Sequence, residues 1–255
     1  MSININNVDI FPEERLDDLG RAGFRIIQNP GWFCFGVDAV LLSAFAKVYC
    51  GETALDLCCG NGVIPVLLSA KTQGAAFHGL EIAPENVEMA RRSVRLNNLT
   101  DKVYIQEGDV KLCEEYYKPS SFDVATANPP YIARGGGVLS GSLLKDAAKH
   151  ELLCGLDDVV SAAARMLKTS GRFYMVHRPH RLVDLFAALR CRRLEPKVMR
   201  LVYSSGIFSG PGREPVLVLI ESVKNAGPML KVAPPLVIYG ENGEYTDEVY
   251  AMYYK

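Results

Sequence analysis

Between Thr53 and Val176 the chain alternates short apolar runs with longer segments of helical spacing, and this alternation limits the fold more than any other feature. Ala54-Leu55-Asp56-Leu57-Cys58, Ala75 to Leu80, Val103-Tyr104-Ile105, Phe122 to Ala127 and Arg172 to Val176 each have the length and composition of a strand. One intervening helix starts at Val63-Ile64-Pro65, where proline is tolerated because it falls in the first turn. A second starts at Pro84, carries Val87, Ala90 and Val94 on one face, and ends near Asn97-Asn98. A third, with Val160, Ala163 and Leu167 as its apolar face, takes Asp157 as its cap and stops near Ser170-Gly171. The segment Arg181 to Leu189 reads as a fourth. Strands alternating with helices predict an α/β, doubly wound, mostly parallel sheet. Val198–Tyr203 and Pro215–Ile220 are separated only by Ser204–Glu214, which predicts an antiparallel last strand.

In an open sheet of this kind, ligands gather outside the carboxyl ends of the strands. Two segments at such ends carry chemistry. The first is Asp56-Leu57-Cys58-Cys59-Gly60-Asn61-Gly62, at the first strand-to-helix turn. Its glycines let backbone approach a ligand closely, and the helix beyond favours an anionic group. Glu81 ends the second strand, 21 positions after Gly60, where an acidic side chain can accept from ribose hydroxyls. The position three after Gly62 is Pro65, so the dinucleotide fingerprint is incomplete. Asp56 would repel a pyrophosphate and suits a ligand with a cationic end, such as the ammonium and sulfonium of S-adenosylmethionine. Asp109 ends the third strand, as an acceptor for an adenine amine or as a helix cap.

The second segment is Asn128-Pro129-Pro130-Tyr131, at the end of the fourth strand. Its prolines stiffen the backbone and free the Pro129 carbonyl from a sheet ladder. That carbonyl and the Asn128 side-chain oxygen are two acceptors for one exocyclic amine. Tyr131 offers a face on which a heterocycle can stack. The plainer alternative is a turn, since Asn-Pro and Pro-Pro are ordinary turn dipeptides.

Around this centre the pattern weakens. Glu13 to Leu19 reads as a helical turn or two. Phe24 to Gln28 and Trp32 to Phe35 read as a strand and its return across Asn29-Pro30-Gly31. Asp38 falls in the first turn of an apolar helix from Ala39 to Ala46. Residues 132–150 form a polar, glycine-rich loop, and the tail 223–255 shows no clear periodicity. The expected division is an N-terminal segment over 1–50 packed on the core, either a lid over the site or simply a packing layer, a main domain over 51–222 and a packed tail over 223–255. A net charge of −1 provides no global attraction for nucleic acid, so such binding would rest on a local patch. His177 to Arg200 is the densest basic region, read either as a solvated face or as a phosphate contact. Seven cysteines without a C-x-x-C pair indicate neither a disulfide framework nor a zinc site, and fit a reducing cytoplasm. The polar N-terminus lacks the features of a signal peptide, and no apolar run is long enough to span a bilayer. No metal and no membrane are expected, and a monomer is favoured.

Taken together, Asp56-x-x-x-Gly60-x-Gly62, Glu81, Asp109 and Asn128-Pro129-Pro130-Tyr131 resemble the class I S-adenosylmethionine-dependent methyltransferases that act on amino groups. Phe35-Gly36-Val37-Asp38-Ala39-Val40-Leu41-Leu42, Lys149-His150-Glu151, His177-Arg178-Pro179, Pro235 to Tyr239 and Tyr245 to Glu248 narrow the likeness. With these the chain resembles the bacterial tRNA(Val) adenine N6-methyltransferase family, which modifies the adenosine 3′ of the anticodon. The resemblance implies a seven-stranded, Rossmann-like class I methyltransferase domain with an N-terminal lid. It implies that Asn128 and the Pro129 carbonyl hold the target amine, with Pro130 beside them and Tyr131 stacked on the base. S-adenosylmethionine would then lie against Asp56, Cys58, Gly60, Gly62, Glu81, Ile82, Asp109 and Asn128, with Phe35 and Asp38 above it. Gly36-Val37 departs from the Ser that usually precedes the Asp of that segment. His150 and Glu151 are read as structural, because methyl transfer to an amine needs little help from a base. The tail tyrosines 239, 245, 250, 253 and 254 are read as packing the tail on the core. The alternatives within the same chemistry are ribosomal RNA, DNA or a release-factor glutamine as substrate. About 50 residues precede the glycine turn, too few for a release-factor-binding domain. Outside that chemistry stand a non-catalytic binding module, opposed by the intact Asn128, and a nicotinamide oxidoreductase, opposed by Pro65 and Asp56.

Overall fold

The computed structural model describes residues 3–32, 34–129, 154–205 and 214–254. Two antiparallel hairpins come first, β1 (Ile3–Ile5) with β2 (Val8–Ile10) and β3 (Arg15–Asp18) with β4 (Arg25–Gln28). Asn6 and Asn7 both have positive φ, which is the two-residue turn that matches strand twist. Then follow α1 (Val37–Phe45), β5 (Thr53–Leu57), α2 (Val63–Lys71), β6 (Ala76–Glu81), α3 (Pro84–Leu96) and β7 (Val103–Glu107). A single helical turn, Val110–Leu112, precedes α4 (Cys113–Tyr116) and β8 (Phe122–Ala127). The remainder is α5 (Leu156–Met166), β9 (Leu167–His177), α6 (Leu182–Cys191), β10 (Leu194–Ser205), β11 (Leu217–Lys224), β12 (Lys231–Val232), β13 (Leu236–Tyr239) and α7 (Asp247–Tyr254).

The N-terminal expectation is corrected. Glu13 to Leu19 holds a strand, not a helical turn, and β4 pairs with that upstream strand; Phe33, in the expected returning strand Trp32 to Phe35, lies outside the described residues. Polar side chains account for the choice. The Gln28 amide donates to Asp17 across the hairpin. Arg92 of α3, itself buried, donates to Glu14 and to the Asp9 carbonyl. Val8, Ile10 and Ile27 then pack on Met89 and Leu96, so both hairpins lie against α3.

The described residues form a nine-stranded sheet in the order β7-β6-β5-β8-β9-β11-β10, with β12 and β13 both on the far edge of β10. β5 to β9 run parallel, while β11 is antiparallel to both of its neighbours. The sheet is thus mostly parallel, with its antiparallel strand where the short loop placed it. Both faces are covered. Val40 and Leu41 of α1 and Leu67 of α2 pack with Phe77 and Tyr174 on one face. Val160 and Met166 of α5 and Leu185 of α6 pack with Leu55, Leu57 and Phe173 on the other. A strand buried on both sides reads as a near-continuous apolar run, as β5 does between Thr53 and Leu57 apart from Asp56, and β8 apart from Asp123 and Thr126.

Three boundaries differ from the expectation. α5 stops at Met166, and β9 runs on through Ser170, in left-handed conformation, opposite a register shift between Phe122 and Val124. Gly155, not Asp157, is the cap, with the Asp158 carboxylate accepting its N–H at 3.0 Å. The tail contains β12, β13 and α7, which are too short for periodicity to reveal. Leu236, Ile238 and Val249 place it on the same core as α1, and Tyr239, Tyr245 and Tyr253 stack in series. Tyr250 and Tyr254 remain exposed.

Candidate active site

The chain builds outward through β5, β6 and β7 and then returns to lay β8 on the other side of β5. The crevice at that reversal is where open α/β sheets bind ligands. Register fixes what stands there. Leu57 is level with Leu80 on β6 and with Ala127 on β8. The next residue on each strand is Cys58, Glu81 or Asn128. These three form one row along the carboxyl edge, with adjacent strands about 4.8 Å apart.

The turn after β5 has three left-handed residues, Cys58 (φ 62°), Gly60 (φ 54°) and Gly62 (φ 82°). The two glycines serve different ends. A Cβ on Gly60 would meet nothing within 4 Å, so the front of the turn is open to a ligand. A Cβ on Gly62 would lie 3.1 Å from the Ala90 Cβ, so this glycine lets α3 approach. Cys58 takes a conformation that L residues rarely adopt, and its sulfur lies 3.7 Å from that of Cys154.

Glu81 clamps the turn. One carboxylate oxygen accepts from the Gly60 N–H at 2.8 Å, and the other from the Ala83 N–H at 2.9 Å. A carboxylate offers about four acceptor sites, so capacity remains for ligand hydroxyls. Asn61 ties the same turn to the N-terminal hairpin by donating to the Ile27 carbonyl at 3.3 Å.

Asp56 lies just below this row, 2% exposed. Alternation puts it with Ala54 on the face covered by α1 and α2. Its Oδ1 accepts from the Thr126 hydroxyl at 2.6 Å, while its Oδ2 is buried without a partner. Burial, opposed by the Thr126 bond and reinforced by the Glu81 charge, pushes its carboxyl up to about 8. A buried acid with one orphaned oxygen fits a cationic ligand group, which would supply both the missing partner and the compensating charge.

The other expected residues surround this centre. Asn128 is half-buried and Pro129 buried at the end of β8, whereas Pro130, Tyr131, His150 and Glu151 lie outside the described residues. β7 ends at Glu107, two positions before Asp109 and not at it. Asp109 accepts from the Lys111 N–H at 2.9 Å and so caps the following turn, the second of its two expected roles. Phe35 donates its N–H to the Gln28 side chain at 2.9 Å, and its ring packs beside α1. Asp38 accepts from the Ala39 N–H in the first turn of α1. Ile82 is half-buried beside Glu81. Thr126 and Asn61 were not foreseen. A lone threonine inside the apolar run Val124 to Ala127 was the available signal for the first.

The basic region is not one patch. His177 ends β9, and Arg178 and Arg181 follow it, at the carboxyl edge of the sheet. α6 then returns along the sheet, so Arg190, Arg192, Arg193 and Lys197 stand at the opposite, amino-terminal edge. Several cations already have partners: Arg181 with Asp184, Arg190 with Glu195 and Arg200 with Glu248. Among the described residues no cluster of His, Cys, Asp and Glu could hold a metal ion, and no helix is long and apolar enough to cross a membrane.

Comparison with known proteins gives a consistent picture. A family model described as a methyltransferase domain matches residues 50–200. A Porphyromonas gingivalis protein named tRNA1(Val) (adenine(37)-N6)-methyltransferase is 28% identical over 240 residues, covering 88% of this chain and 89% of that protein. A Mannheimia succiniciproducens protein of the same name is 26% identical over 224 residues, covering 85% and 84%. Among solved structures, a predicted O-methyltransferase from Agrobacterium tumefaciens superposes with a TM-score of 0.67 at 21% identity, covering 84% of this chain and 94% of that one. A geranyl diphosphate methyltransferase solved in complex with SAM superposes with a TM-score of 0.52 at 16% identity, covering 73% and 84%. At such identities the likeness is one of fold.

Proposed function

The chain belongs to the methyltransferase domain family, and on that footing we propose that it transfers a methyl group from S-adenosylmethionine to the N6 amine of an adenine in tRNA. The adenosine 3′ of the anticodon in tRNA(Val) is the substrate most strongly supported. The observation that carries this reading is the row Cys58, Glu81 and Asn128 at the switch point, with the orphaned Asp56 carboxyl beneath it. The names of the two relatives, which align along most of their length, support the tRNA substrate.

S-adenosylmethionine, when bound, supplies an electrophilic methyl group on a sulfonium. The residues of this chain have the remaining work. Asp56 faces the cationic end of the cofactor, while Glu81 accepts from ribose hydroxyls with the capacity that Gly60 and Ala83 leave. The open front of Gly60 admits the cofactor close to backbone, and Ile82, Asp109, Phe35 and Asp38 line the periphery. The Asn128 side-chain oxygen and the Pro129 carbonyl each accept one hydrogen of the target amine. That arrangement aims the nitrogen lone pair along the line of displacement. Tyr131 stacks on the base, which has left its helix to reach the site. The proton leaves after transfer, so His150 and Glu151 have no required part.

The test is direct. Purified protein with methyl-labelled S-adenosylmethionine is offered unmodified tRNA(Val), total RNA, DNA and a release factor separately. Label on the adenosine 3′ of the anticodon is expected. Label on a glutamine alone would overturn the tRNA reading and leave the methyltransferase assignment standing. Asn128→Ala should abolish most turnover with cofactor affinity near that of the parent protein. Substantial turnover in this variant at saturating tRNA would mean that the amine is held elsewhere.

A further inference from the structure

Cys58 and Cys154 stand 96 positions apart, yet their sulfurs approach to 3.7 Å, the one thiol–thiol contact among the described residues. Both are half-buried. Cys58 is the first residue beyond β5, held in a left-handed conformation at the base of the glycine turn. Cys154 stands two positions before α5. The proposed site sets Cys58 beside the cofactor but gives neither sulfur a part in the transfer, and a left-handed position that favours glycine carries a thiol instead.

We propose that Cys58 and Cys154 form a redox-sensitive dithiol, open to hydrogen peroxide and similar two-electron oxidants, whose disulfide form disables the cofactor turn. The functional half rests on the reading of that turn as the S-adenosylmethionine site. In the first step one sulfur of the pair, having given up its proton, attacks a peroxide oxygen, the O–O bond breaks, and the departing hydroxide takes up that proton, leaving water and a sulfenic acid. In the second, the other sulfur attacks the sulfenic sulfur, an S–S bond forms, the S–O bond breaks, and the leaving oxygen takes the second thiol's proton and departs as water. The two thiols lose two electrons and two protons, and one peroxide is reduced to two waters. The contact with Cys154, burial and the nearby Glu81 carboxylate raise the Cys58 thiol.

The structural consequence follows from lengths. A disulfide needs sulfurs about 2.05 Å apart, so the pair must close by roughly 1.7 Å from its present separation. Cys58 has little freedom, because Leu57 is bonded to β6 and β8 and the Cys59 N–H donates to the Leu80 carbonyl at 3.0 Å. Whatever shift closure imposes on Cys58 is passed along the chain to Gly60, two positions on, whose N–H Glu81 holds. A displacement of about 1 Å at a positioned group is enough to change its function on the order of tenfold or more.

The full chain is treated with hydrogen peroxide, digested without reduction and mapped by mass spectrometry. S-adenosylmethionine affinity is measured by calorimetry before treatment, after it, and after dithiothreitol. A Cys58–Cys154 linked peptide is expected, together with an affinity loss of at least about tenfold that dithiothreitol restores. Cys154→Ser, and Cys154→Ala should the first fold poorly, should bind the cofactor normally and resist peroxide. Two separately alkylated thiols after oxidation would overturn the proposal, as would a mapped disulfide with unchanged affinity or a Cys154 variant that still loses binding. If the reduced protein binds no S-adenosylmethionine, the cofactor reading of the turn fails and takes the functional half with it. The peptide map then still decides whether the pair is oxidised.

Discussion

Raising the pH from about 6 to about 7 should tighten S-adenosylmethionine binding roughly tenfold. The reasoning starts from Asp56, whose buried carboxyl is pushed up to about 8. Only its carboxylate form can neutralise a cationic group. With a value of about 8, the ionised fraction is about 1% at pH 6 and about 10% at pH 7, and apparent affinity scales with that fraction. The ligand's own amine, an α-amino group titrating near 7.7–8.0 in model compounds, stays charged over most of this window (roughly 10–15% deprotonated at pH 7). The neighbouring groups do not compete. The Cys154 contact and burial raise the Cys58 thiol, and burial raises that of Cys59, so both stay neutral. Calorimetry at several pH values gives the slope, and repeating it in buffers of different ionisation enthalpy gives the protons released, about one per cofactor near pH 7. A flat affinity between the two pH values would refute the reasoning, as would a tenfold change that persists in Asp56→Asn. The same shift has a sign for stability. The folded state holds a proton that the unfolded chain has lost, so the ligand-free fold weakens as pH rises from about 4 through about 8.

Three further outcomes follow from the packing. Gly62→Ala forces a left-handed alanine against Ala90, and chemical denaturation should show a loss of about 1–3 kcal/mol. Arg92→Ala leaves the buried Glu14 carboxylate without its partner and should cost about 3–5 kcal/mol, read from the same unfolding curves. An unchanged midpoint would mean that the N-terminal hairpins do not contribute to the cooperative fold. Arg181→Glu, at the carboxyl edge, should flatten the salt dependence of tRNA binding by about one log unit per lost phosphate contact. Arg192→Glu with Arg193→Glu, at the opposite edge, should leave it nearly unchanged; the reverse ranking would place the tRNA on the other end of the sheet.

The sequence by itself determined the alternation from Thr53 to Val176, and with it the doubly wound sheet and the strand ends that carry Asp56, Glu81 and Asn128. Strands buried on two faces must be apolar nearly throughout, and helices between them must carry one apolar face, so local pattern and global fold agree there. It did not determine the N-terminal hairpins. Arg15 to Asp18 is a strand because Gln28, Arg92 and the apolar side of α3 receive it, and none of those partners is local. Tertiary structure alone decided that Thr126 bonds Asp56 across 70 positions and that Glu81 clamps Gly60. It also brought Cys154 to Cys58, and it divided a basic run that looks continuous in sequence between opposite ends of the sheet. Periodicity reports which face of an element is buried. What meets that face depends on strand order and register, which arise only when the whole sheet forms.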